Sequence, residues 1–386
     1  MDTKVLIIGG GPSGLLLSLL LKKNDIDNII LEKNTALHVA NRIRAGILEP
    51  GTVKILKKAG IGKRLSKEGI THSGFNISFN DQIYHINMKK LANDTVTVYG
   101  QTEVTKDLMD KLAKINSKIF YKANNIKILN ITKPKVEFTH NSKKIKINSQ
   151  FIVGCDGYHG ITKNFIPKNI KKIYEKEYSF GWLGLLSDTK PISSELIYIN
   201  NGNGFGLCSM RSKTRSRYYI QCSNKEKIKD WSDDRFWESL YKTLPSDIKN
   251  TLQTGPSIEK SIAQLRSYVI EPMNYKNIFL AGDAAHIVPP TGAKGLNLAL
   301  SDVNCLSSAF KSYFHKMSEE ELKNYSKKCL SRVWKTQNFS SWFTNTLHNF
   351  PDEDNFTKEM KKNMLLDLIN SNTQKLHLAN KYLGKY

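Results

Sequence analysis

The sequence has few cysteines and no long hydrophobic run. Its five cysteines are scattered, odd in number and without a CxxC pair, which argues against a disulfide framework or a zinc site and favours reduced thiols. The longest apolar stretch, residues 14–21, is too short to span a bilayer. A strand-like run follows Met1 to Lys4 directly, so no signal peptide is indicated. We therefore expect a cytoplasmic protein with neither a membrane span nor a metal.

Acidic residues are scarce relative to basic ones: 35 Asp and Glu against 58 Lys and Arg, a formal net charge of +23. A nucleic-acid-binding protein is one interpretation of such a charge. The excess is mostly lysine spread along the chain, however, and no nucleic-acid-binding motif accompanies it. We expect a solvated lysine-rich surface whose field attracts anionic substrates and phosphorylated cofactors.

The first thirty residues predict a strand, a glycine turn, a helix and a second strand. Gly9, Gly11 and Gly14 supply the pattern GxGxxG between an apolar strand at residues 4–8 and a helix beginning near Pro12. Such a turn lets backbone N–H groups approach a pyrophosphate, whose charge the helix N-terminus stabilises. Glu32 follows the second strand, where an acid binds a ribose diol. The segment predicts a dinucleotide site, for either NAD or FAD.

Two later strands also end in an acid, one at Asp156-Gly157 and one at Gly282-Asp283. Acids at the carboxyl ends of parallel strands lie in the crevice where such sheets bind ligands. The three segments, in this order, resemble the single-component FAD-dependent aromatic hydroxylases. Further segments extend the resemblance to nearly the whole chain and are similar to the branch that hydroxylates 4-hydroxybenzoate: residues 41–53, 95–109, 180–186, 208–221, 230–237, 282–299 and 380–384.

The resemblance implies an α/β fold: a Rossmann-like FAD-binding domain with a β-sheet substrate domain and C-terminal helices. The FAD domain is expected to be discontinuous, over residues 1–70, 98–172 and 268–345. The substrate sheet is expected over 71–97 and 173–267, and the C-terminal helical segment over 346–386. A homodimer is also expected.

Residues 204–222 indicate a hairpin of two strands about a polar turn. Period two places Ser209 and Arg211 on one face, and Arg217, Tyr219 and Gln221 on one face of the partner strand. If the two sets face the same way, they form a cationic, hydroxyl-bearing surface suited to an arylcarboxylate. A solvated hairpin is the alternative. The resemblance implies that Ser209, Arg211 and Tyr219 bind the substrate carboxylate, and that Arg217 lies near flavin and substrate.

The remaining catalytic roles come from the resemblance alone. Tyr198 is expected to contact the substrate phenol and to pass its proton through Tyr382 to His72, a histidine that exchanges protons with solvent near neutrality. By pattern, both tyrosines would be assigned to the core. Pro290 and Thr291 belong to a segment with a fixed backbone and small side chains. Such a segment would let the flat flavin and phenol rings lie against the main chain. The helix beginning near Gly295 would then direct its first N–H groups at the flavin.

The expected flavin-binding residues are Gly9, Gly11, Ser13, Gly14, Glu32, Arg42, Arg44, Gln101, Asp283, Leu296 and Asn297. With a single GxGxxG unit, the nicotinamide cofactor has no Rossmann domain of its own and is expected to bind across the surface. Its expected contacts are Lys33, His38, His159, Lys163 and Arg266. The cations favour NADPH, with NADH also used.

The implied reaction is the hydroxylation of 4-hydroxybenzoate to 3,4-dihydroxybenzoate, with NAD(P)H, O2 and a flavin C4a-hydroperoxide. Deprotonating the phenol makes the ortho carbon a better nucleophile, which explains the tyrosine relay. Alternatives are a hydroxylase of another aromatic acid such as 4-aminobenzoate, and a flavoprotein that senses an aromatic acid without turnover.

Overall fold

The computed structural model describes residues 1–42, 46–202 and 204–386. Its strands are β1 (Asp2–Ile8), β2 (Asn28–Leu31), β3 (Ile47–Leu48), β4 (Ile70–His72), β5 (Phe75–Phe79), β6 (Gln82–Ile86), β7 (Val96–Val98), β8 (Lys118–Phe120), β9 (Asn124–Asn130), β10 (Lys135–His140), β11 (Lys143–Gly154), β12 (Lys172–Ser187), β13 (Ile197–Asn201), β14 (Gly204–Ser212), β15 (Arg215–Ser223), β16 (Ser257–Glu271), β17 (Asn274–Tyr275), β18 (Ile278–Leu280) and β19 (His286–Ile287).

The helices are α1 (Pro12–Lys22), α2 (Ala36–Asn41), α3 (Pro50–Ala59), α4 (Gly62–Glu68), α5 (Met88–Ala92), α6 (Gln101–Lys114), α7 (Asp233–Thr243), α8 (Ser246–Lys249), α9 (Gly295–Lys316), α10 (Glu320–Lys323), α11 (Tyr325–Leu347), α12 (Asn355–Asn370) and α13 (Asn372–Tyr382). Short 3-10 turns at Gly282–Ala284 and Pro290–Gly292 precede α9. The predicted α/β class is confirmed.

The first sheet brings the three dinucleotide-binding segments together. Its strand order is β17-β18-β11-β1-β2-β8, and β18, β11, β1, β2 and β8 are parallel. Parallel neighbours end at one edge of a sheet. The Gly9 N–H therefore donates to the Leu31 carbonyl (2.8 Å), and the Ala281 N–H donates to the Gly154 carbonyl (2.9 Å). The glycine turn, Glu32 and the turn with Asp283 all begin at this edge.

Helix α1 is buried because it is apolar on almost every side. All eight residues from Gly14 to Leu21 are buried, and the helix packs against both α6 and α9. A helix hydrophobic around its circumference belongs in a core. This packing fixes the glycine turn relative to α9, which begins at the other predicted flavin contact.

The second sheet has the order β19-β16-β12-β15-β14-β13-β5-β6. Its register places Tyr198 opposite Leu207, and Leu207 opposite Tyr219, so these side chains share one face. That face packs with α11 and α13. The intervening residues, such as Ile197 and Tyr218, belong to a separate core cluster under α7. The predicted hairpin is present as β14 and β15.

A small sheet, β3-β7-β4, adds a third layer, in which His72 ends β4 opposite Val96. In the ranges described, no helix has both the length and the hydrophobicity to cross a membrane. The same ranges hold no cluster of three or more His, Cys, Asp or Glu side chains arranged for a metal.

The glycine turn yields a paired test. Gly9 has φ +110°, and a Cβ there would overlap the Cys155 carbonyl, whereas a Cβ at Gly11 would meet nothing within 4 Å. We expect Gly9→Ala to lower the free energy of unfolding of the apoprotein by at least about 1–3 kcal/mol. Gly11→Ala should leave that stability unchanged and weaken FAD binding, because it fills the space over the turn. Thermal unfolding and FAD titration measure both; equal stability of the two variants would contradict this assignment.

Candidate active site

The N-terminus of α1 is open to an anion. Gly11 caps the helix without a side-chain hydrogen bond, Pro12 is its first residue, and the first turn contains no acid. The N–H groups of a first helical turn lack intrahelical acceptors and carry partial positive charge. With the open space over Gly11, this turn fits the pyrophosphate of FAD.

Glu32 is fixed at the neighbouring strand end. Its buried carboxylate accepts from the Gly10 N–H through Oε2 (2.7 Å) and from the Asn34 N–H through Oε1 (2.7 Å). Each carboxylate oxygen can accept a further hydrogen bond. The carboxylate is thus oriented as an acceptor at the sheet edge, which fits a ribose diol.

The turn with Asp283 is clamped by a carboxylate that sequence reasoning missed. Asp302 on α9 accepts through Oδ2 from the Gly282 N–H (3.0 Å), and the same oxygen lies 2.6 Å from His286 Nε2. His286 and Asp302 are both buried. Burial lowers the pKa of His286, but the Asp302 charge outweighs it, so the pKa is raised. Gly282 has φ +62°, and a Cβ there would lie 2.9 Å from Ser13 Oγ.

Helix α9 starts without a side-chain cap and without an acid in its first turn. Leu296 is half-buried. The Asn297 side chain is buried and accepts from the Glu49 N–H (2.9 Å) while donating to the Ile47 carbonyl (2.9 Å). The first turn of α9 is therefore held from the side while its N-terminus remains available to a negative group.

Glu49 is the centre of a buried ion cluster. Its Oε1 lies 2.9 Å from Lys294 Nζ, and its Oε2 lies 2.8 Å from Arg332 Nη2. Lys294 Nζ also donates to the Tyr382 carbonyl (2.6 Å). Burial lowers the pKa of Lys294, and the Glu49 charge opposes that shift. The cluster connects the start of α9 with the C-terminal helix.

The substrate-sheet face carries the predicted cationic residues. Ser209 lies opposite Arg217, and Tyr219 lies two residues further along β15. Gly184 on β12 makes room for them, because a Cβ there would come within 2.8 Å of Tyr219 and Arg217. Arg217 pairs with Glu259 and donates to Ser261 Oγ (2.8 Å), so its charge is already balanced. Sequence reasoning did not identify these two partners.

Arg211 differs from Arg217 in its pairing. A register shift between Met210 and Ser212 turns it away from regular cross-strand pairing. Its Nη1 is buried and has no hydrogen-bond partner among the residues described. Burial lowers the pKa of Arg211, and the neighbouring Tyr219 hydroxyl opposes the shift. A buried donor without an acceptor is costly, so the Nη1 end of this half-buried side chain is suited to an anionic ligand.

Tyr198 and Tyr382 are in direct contact. Their hydroxyl oxygens lie 2.9 Å apart, and the Tyr198 hydroxyl also donates to the Thr291 carbonyl (2.8 Å). Thr291 is held through its own hydroxyl, 2.8 Å from Thr344 Oγ1. Burial raises the pKa of both tyrosines. Pro290, which precedes Thr291, is exposed.

His72 is more enclosed than its predicted role suggested. It is 1% exposed, and neither ring nitrogen has a hydrogen-bond partner in the described ranges. Burial lowers its pKa below the usual 6.5, with the Glu195 charge opposing the shift. The sequence did not indicate this burial, and the expectation that His72 exchanges protons with solvent near neutrality stays a prediction.

The predicted nicotinamide contacts fall into two groups. Around Tyr158, Lys163 Nζ lies 4.2 Å and Arg266 Cζ 4.5 Å from the ring centroid, and the His159 ring packs against the tyrosine. Arg266 is also paired with two acids, Glu175 (3.2 Å) and Glu177 (3.0 Å). These acids were not foreseen.

The second group lies on and before α2. His38 and Arg42 line an open cavity of about 360 Å³, here called the α2 cavity, together with Thr35, Leu37 and Asn41. Lys33 precedes this segment in the sequence and is exposed. The Thr102 hydroxyl donates to the Arg42 carbonyl (3.2 Å), which places Arg42 beside the start of α6 and Gln101. The predicted flavin contact Arg44 lies outside the described residues.

Comparison with known proteins agrees with this geometry. Residues 2–340 match the family model described as FAD binding domain. The chain is 49% identical over 386 residues to p-hydroxybenzoate hydroxylase of Acinetobacter baylyi, covering all of this chain and 96% of that protein. The chain belongs to the FAD-dependent aromatic hydroxylases.

Other members of these hydroxylases are more distant. A kynurenine 3-monooxygenase of Emericella nidulans is 24% identical over 360 residues, covering 79% of this chain and 68% of that protein. The crystal structure of p-nitrophenol 4-monooxygenase from Pseudomonas putida DLL-E4 superposes with a TM-score of 0.84 at 16% identity, covering 100% of this chain and 99% of that one. At this identity the superposition shows a shared fold.

Asp302→Asn tests whether the clamp on Gly282 positions the cofactor segment. Because a charge-assisted hydrogen bond is lost, we expect the FAD Kd of the apoprotein to rise at least about tenfold, or 1.4 kcal/mol. The raised pKa of His286 adds a pH dependence: the pair's contribution is complete below the unfolded pKa and is lost as pH rises through the folded pKa. The variant should lose that dependence.

FAD titration of the apoprotein measures the change in Kd, and thermal unfolding on either side of neutrality measures the pH dependence of stability. Asp233→Asn is the control, since that carboxylate pairs with Lys260 in the substrate sheet. An unchanged FAD affinity in Asp302→Asn would refute the clamp.

Proposed function

We propose that this chain is a FAD-dependent 4-hydroxybenzoate 3-monooxygenase that uses NAD(P)H and O2. The whole-length similarity to the p-hydroxybenzoate hydroxylase of Acinetobacter baylyi supports this. The observation that carries it is the Arg211 guanidinium, whose buried Nη1 has no acceptor in the described ranges. An aromatic carboxylate would supply that acceptor.

Three side chains would bind the carboxylate. Arg211 offers a planar fork of donors that matches two carboxylate oxygens. Ser209 and Tyr219 add hydroxyl donors, and the Ser209 hydroxyl makes only a long contact of 3.4 Å with the Met210 carbonyl in this structure. Arg217 lies opposite Ser209 and would be a neighbour of flavin and substrate, with Glu259 already balancing its charge.

Tyr198 would act at the other end of the substrate, on the phenol. Its hydroxyl donates to the Thr291 carbonyl and is also hydrogen-bonded to the Tyr382 hydroxyl, where either oxygen can be the donor. It can therefore accept the phenol proton and release its own toward Tyr382, which passes it toward His72. Because burial raises the pKa of both tyrosines, they carry the proton without remaining ionised.

FAD, when bound, supplies the exchange of electrons between NAD(P)H and O2. The buried residues Thr291 and Gly292 would lie against the flavin ring and help to keep water away from the reacting carbon. The phenolate formed through Tyr198 makes the ortho carbon more nucleophilic. The product is 3,4-dihydroxybenzoate, with water as the second product.

We propose NADPH as the preferred reductant, with NADH also used. Lys33 and Arg42 supply positive charge near the α2 cavity, which suits the additional phosphate of NADPH. Glu175 and Glu177 neutralise part of the charge of Arg266 in the Tyr158 group. That pairing limits the preference for a phosphorylated cofactor.

A homodimer in the cytoplasm belongs to the same proposal. Helix α12 exposes Phe356, Met360 and Met364, with 75%, 49% and 40% of their surface accessible. The spacing of four residues aligns them on one face. An exposed apolar stripe of this kind supports a contact with a second copy.

Arg211→Ala should raise the Kd for 4-hydroxybenzoate about a hundredfold, using roughly 1.5–3 kcal/mol for a charge-assisted hydrogen bond. FAD content should be unchanged, because the residue lies on the substrate sheet. The control is Arg215→Ala in the same hairpin, whose guanidinium is exposed and pairs with Asp188. Perturbation of the flavin absorbance by substrate measures the Kd, and equal affinities for the two variants would refute the carboxylate site.

Tyr198→Phe should lower the yield of 3,4-dihydroxybenzoate per NAD(P)H at least about tenfold, since acid–base assistance is worth about 10²–10⁴-fold. Phe retains the edge-to-face contacts with Phe75 and Phe343, whose ring centroids lie 5.7 Å and 5.0 Å from that of Tyr198. Folding and FAD binding should therefore persist. The missing product should appear as hydrogen peroxide. Tyr218→Phe, equally buried on the opposite sheet face, is the control. A fully coupled Tyr198→Phe enzyme would show that this hydroxyl has no part in the chemistry.

A further inference from the structure

A carboxylate without a role in the proposed reaction lies on the same sheet face as the predicted substrate contacts. Leu186 on β12 lies opposite Arg217 of β15 on one side and opposite Glu259 of β16 on the other. Residues directly opposite each other on neighbouring strands share a face of the sheet. Glu259 therefore shares a face with Arg217 and, through the pairing of β15 with β14, with Ser209.

The Arg217 side chain reaches across β12 to contact β16. A Cβ at Gly184 on β12 would lie 2.8 Å from Arg217 Nη2, so the glycine leaves room for the guanidinium. Beyond this strand, Nη1 donates to the Glu259 carboxylate and Nη2 donates to Ser261 Oγ (2.8 Å). A planar guanidinium that is bound through two of its nitrogens has a fixed orientation. Glu259 and Ser261 thus determine where the charge of Arg217 lies.

The charged and titratable side chains around Arg217 come from three strands. They are Arg211 on β14, Tyr219 on β15, whose ring centroid lies 5.0 Å from Arg217 Cζ, and Glu259 on β16. The side chains of Arg217 and Glu259 are only 6% and 28% exposed, so solvent screens this pair less than a surface pair. Two guanidiniums and one carboxylate leave one positive charge in excess, which matches a single arylcarboxylate.

We propose that Glu259 is a positioning residue that limits the positive charge which Arg217 presents to the substrate. The inference rests on the proposed function, because it concerns how that same site selects its ligand. With Glu259 ionised, the site suits a monoanion and does not by itself favour a second negative charge on the phenol. A nearby cation without a partner would favour the phenolate, since opposite charge stabilises the ionised form of an acid. Glu259 therefore leaves ionisation of the phenol to the contact with Tyr198.

Glu259→Gln tests this assignment, because the Gln amide oxygen can still accept from Arg217 Nη1 while the negative charge is lost. The FAD-loaded enzyme is saturated with 4-hydroxybenzoate, and the absorbance of the bound phenolate is followed against pH. At a fixed, mildly alkaline pH the ratio of phenolate to phenol should rise at least about threefold. The Kd for 4-hydroxybenzoate should fall by a similar factor. Glu259→Asp, which retains the charge, should keep the wild-type ratio.

Two controls separate the charge from the shape of the site. Asp188→Asn removes an exposed acid that pairs with Arg215 in the same hairpin, and it should behave as wild type because solvent screens that charge. Benzamide, an uncharged ring of similar size, should bind to wild type and Glu259→Gln with equal affinity. A phenolate ratio that is unchanged in Glu259→Gln, or that rises equally in Glu259→Asp, would overturn the inference. If wild-type enzyme failed to bind 4-hydroxybenzoate, the proposed function would fall, and the inference with it.

Discussion

The buried Glu49 carboxylate joins the two halves of the active site. It binds Lys294 just before α9 and Arg332 on α11, and Lys294 in turn binds the carbonyl of Tyr382. Removing one partner from a buried ion cluster leaves an uncompensated charge, which costs about 3–5 kcal/mol. The start of α9, the predicted flavin contact, and Tyr382, the second tyrosine of the proposed relay, are therefore connected through one carboxylate.

The two large sheets contribute to the site in different ways. The parallel sheet contributes one edge, at which the strand ends place backbone N–H groups and acidic side chains for the cofactor. The antiparallel sheet contributes a face, on which alternating side chains from neighbouring strands form the proposed substrate wall. The short turns between β18 and α9 lie where the edge of the first sheet meets the face of the second. They present mainly backbone groups there.

Patterns within a short stretch of sequence were sufficient to predict the elements whose structure depends on neighbouring residues. The glycine turn, the apolar α1 and the β14–β15 hairpin each follow from spacing within about twenty residues. The hydrogen-bond and ion-pair partners of the site residues cannot be predicted from such local spacing. Glu49 and Lys294 are 245 residues apart, and Arg217 is 42 residues from Glu259. No period in the sequence links such pairs, because they meet only when separate elements dock.

Burial is the other property that the sequence left undetermined. His72 ends a short strand, and nothing around it distinguishes a surface histidine from an enclosed one. In the folded chain this strand lies in the small sheet β3-β7-β4, and both ring nitrogens of His72 are buried. Similarly, Arg211 and Arg217 are both predicted cations on one strand pair, and only the position of Glu259 separates the balanced guanidinium from the available one.

The alternation of the substrate sheet has a consequence for how such a chain can diverge. Tyr198 and Tyr219 face the substrate wall, while their sequence neighbours Ile197 and Tyr218 lie in the separate core under α7. Substitution at one set changes what is recognised, and substitution at the other changes how firmly the sheet folds. A single inserted residue would exchange the two sets. New substrates are therefore more accessible by replacing side chains on one face than by inserting residues, except where a register shift such as that between Met210 and Ser212 absorbs the extra residue.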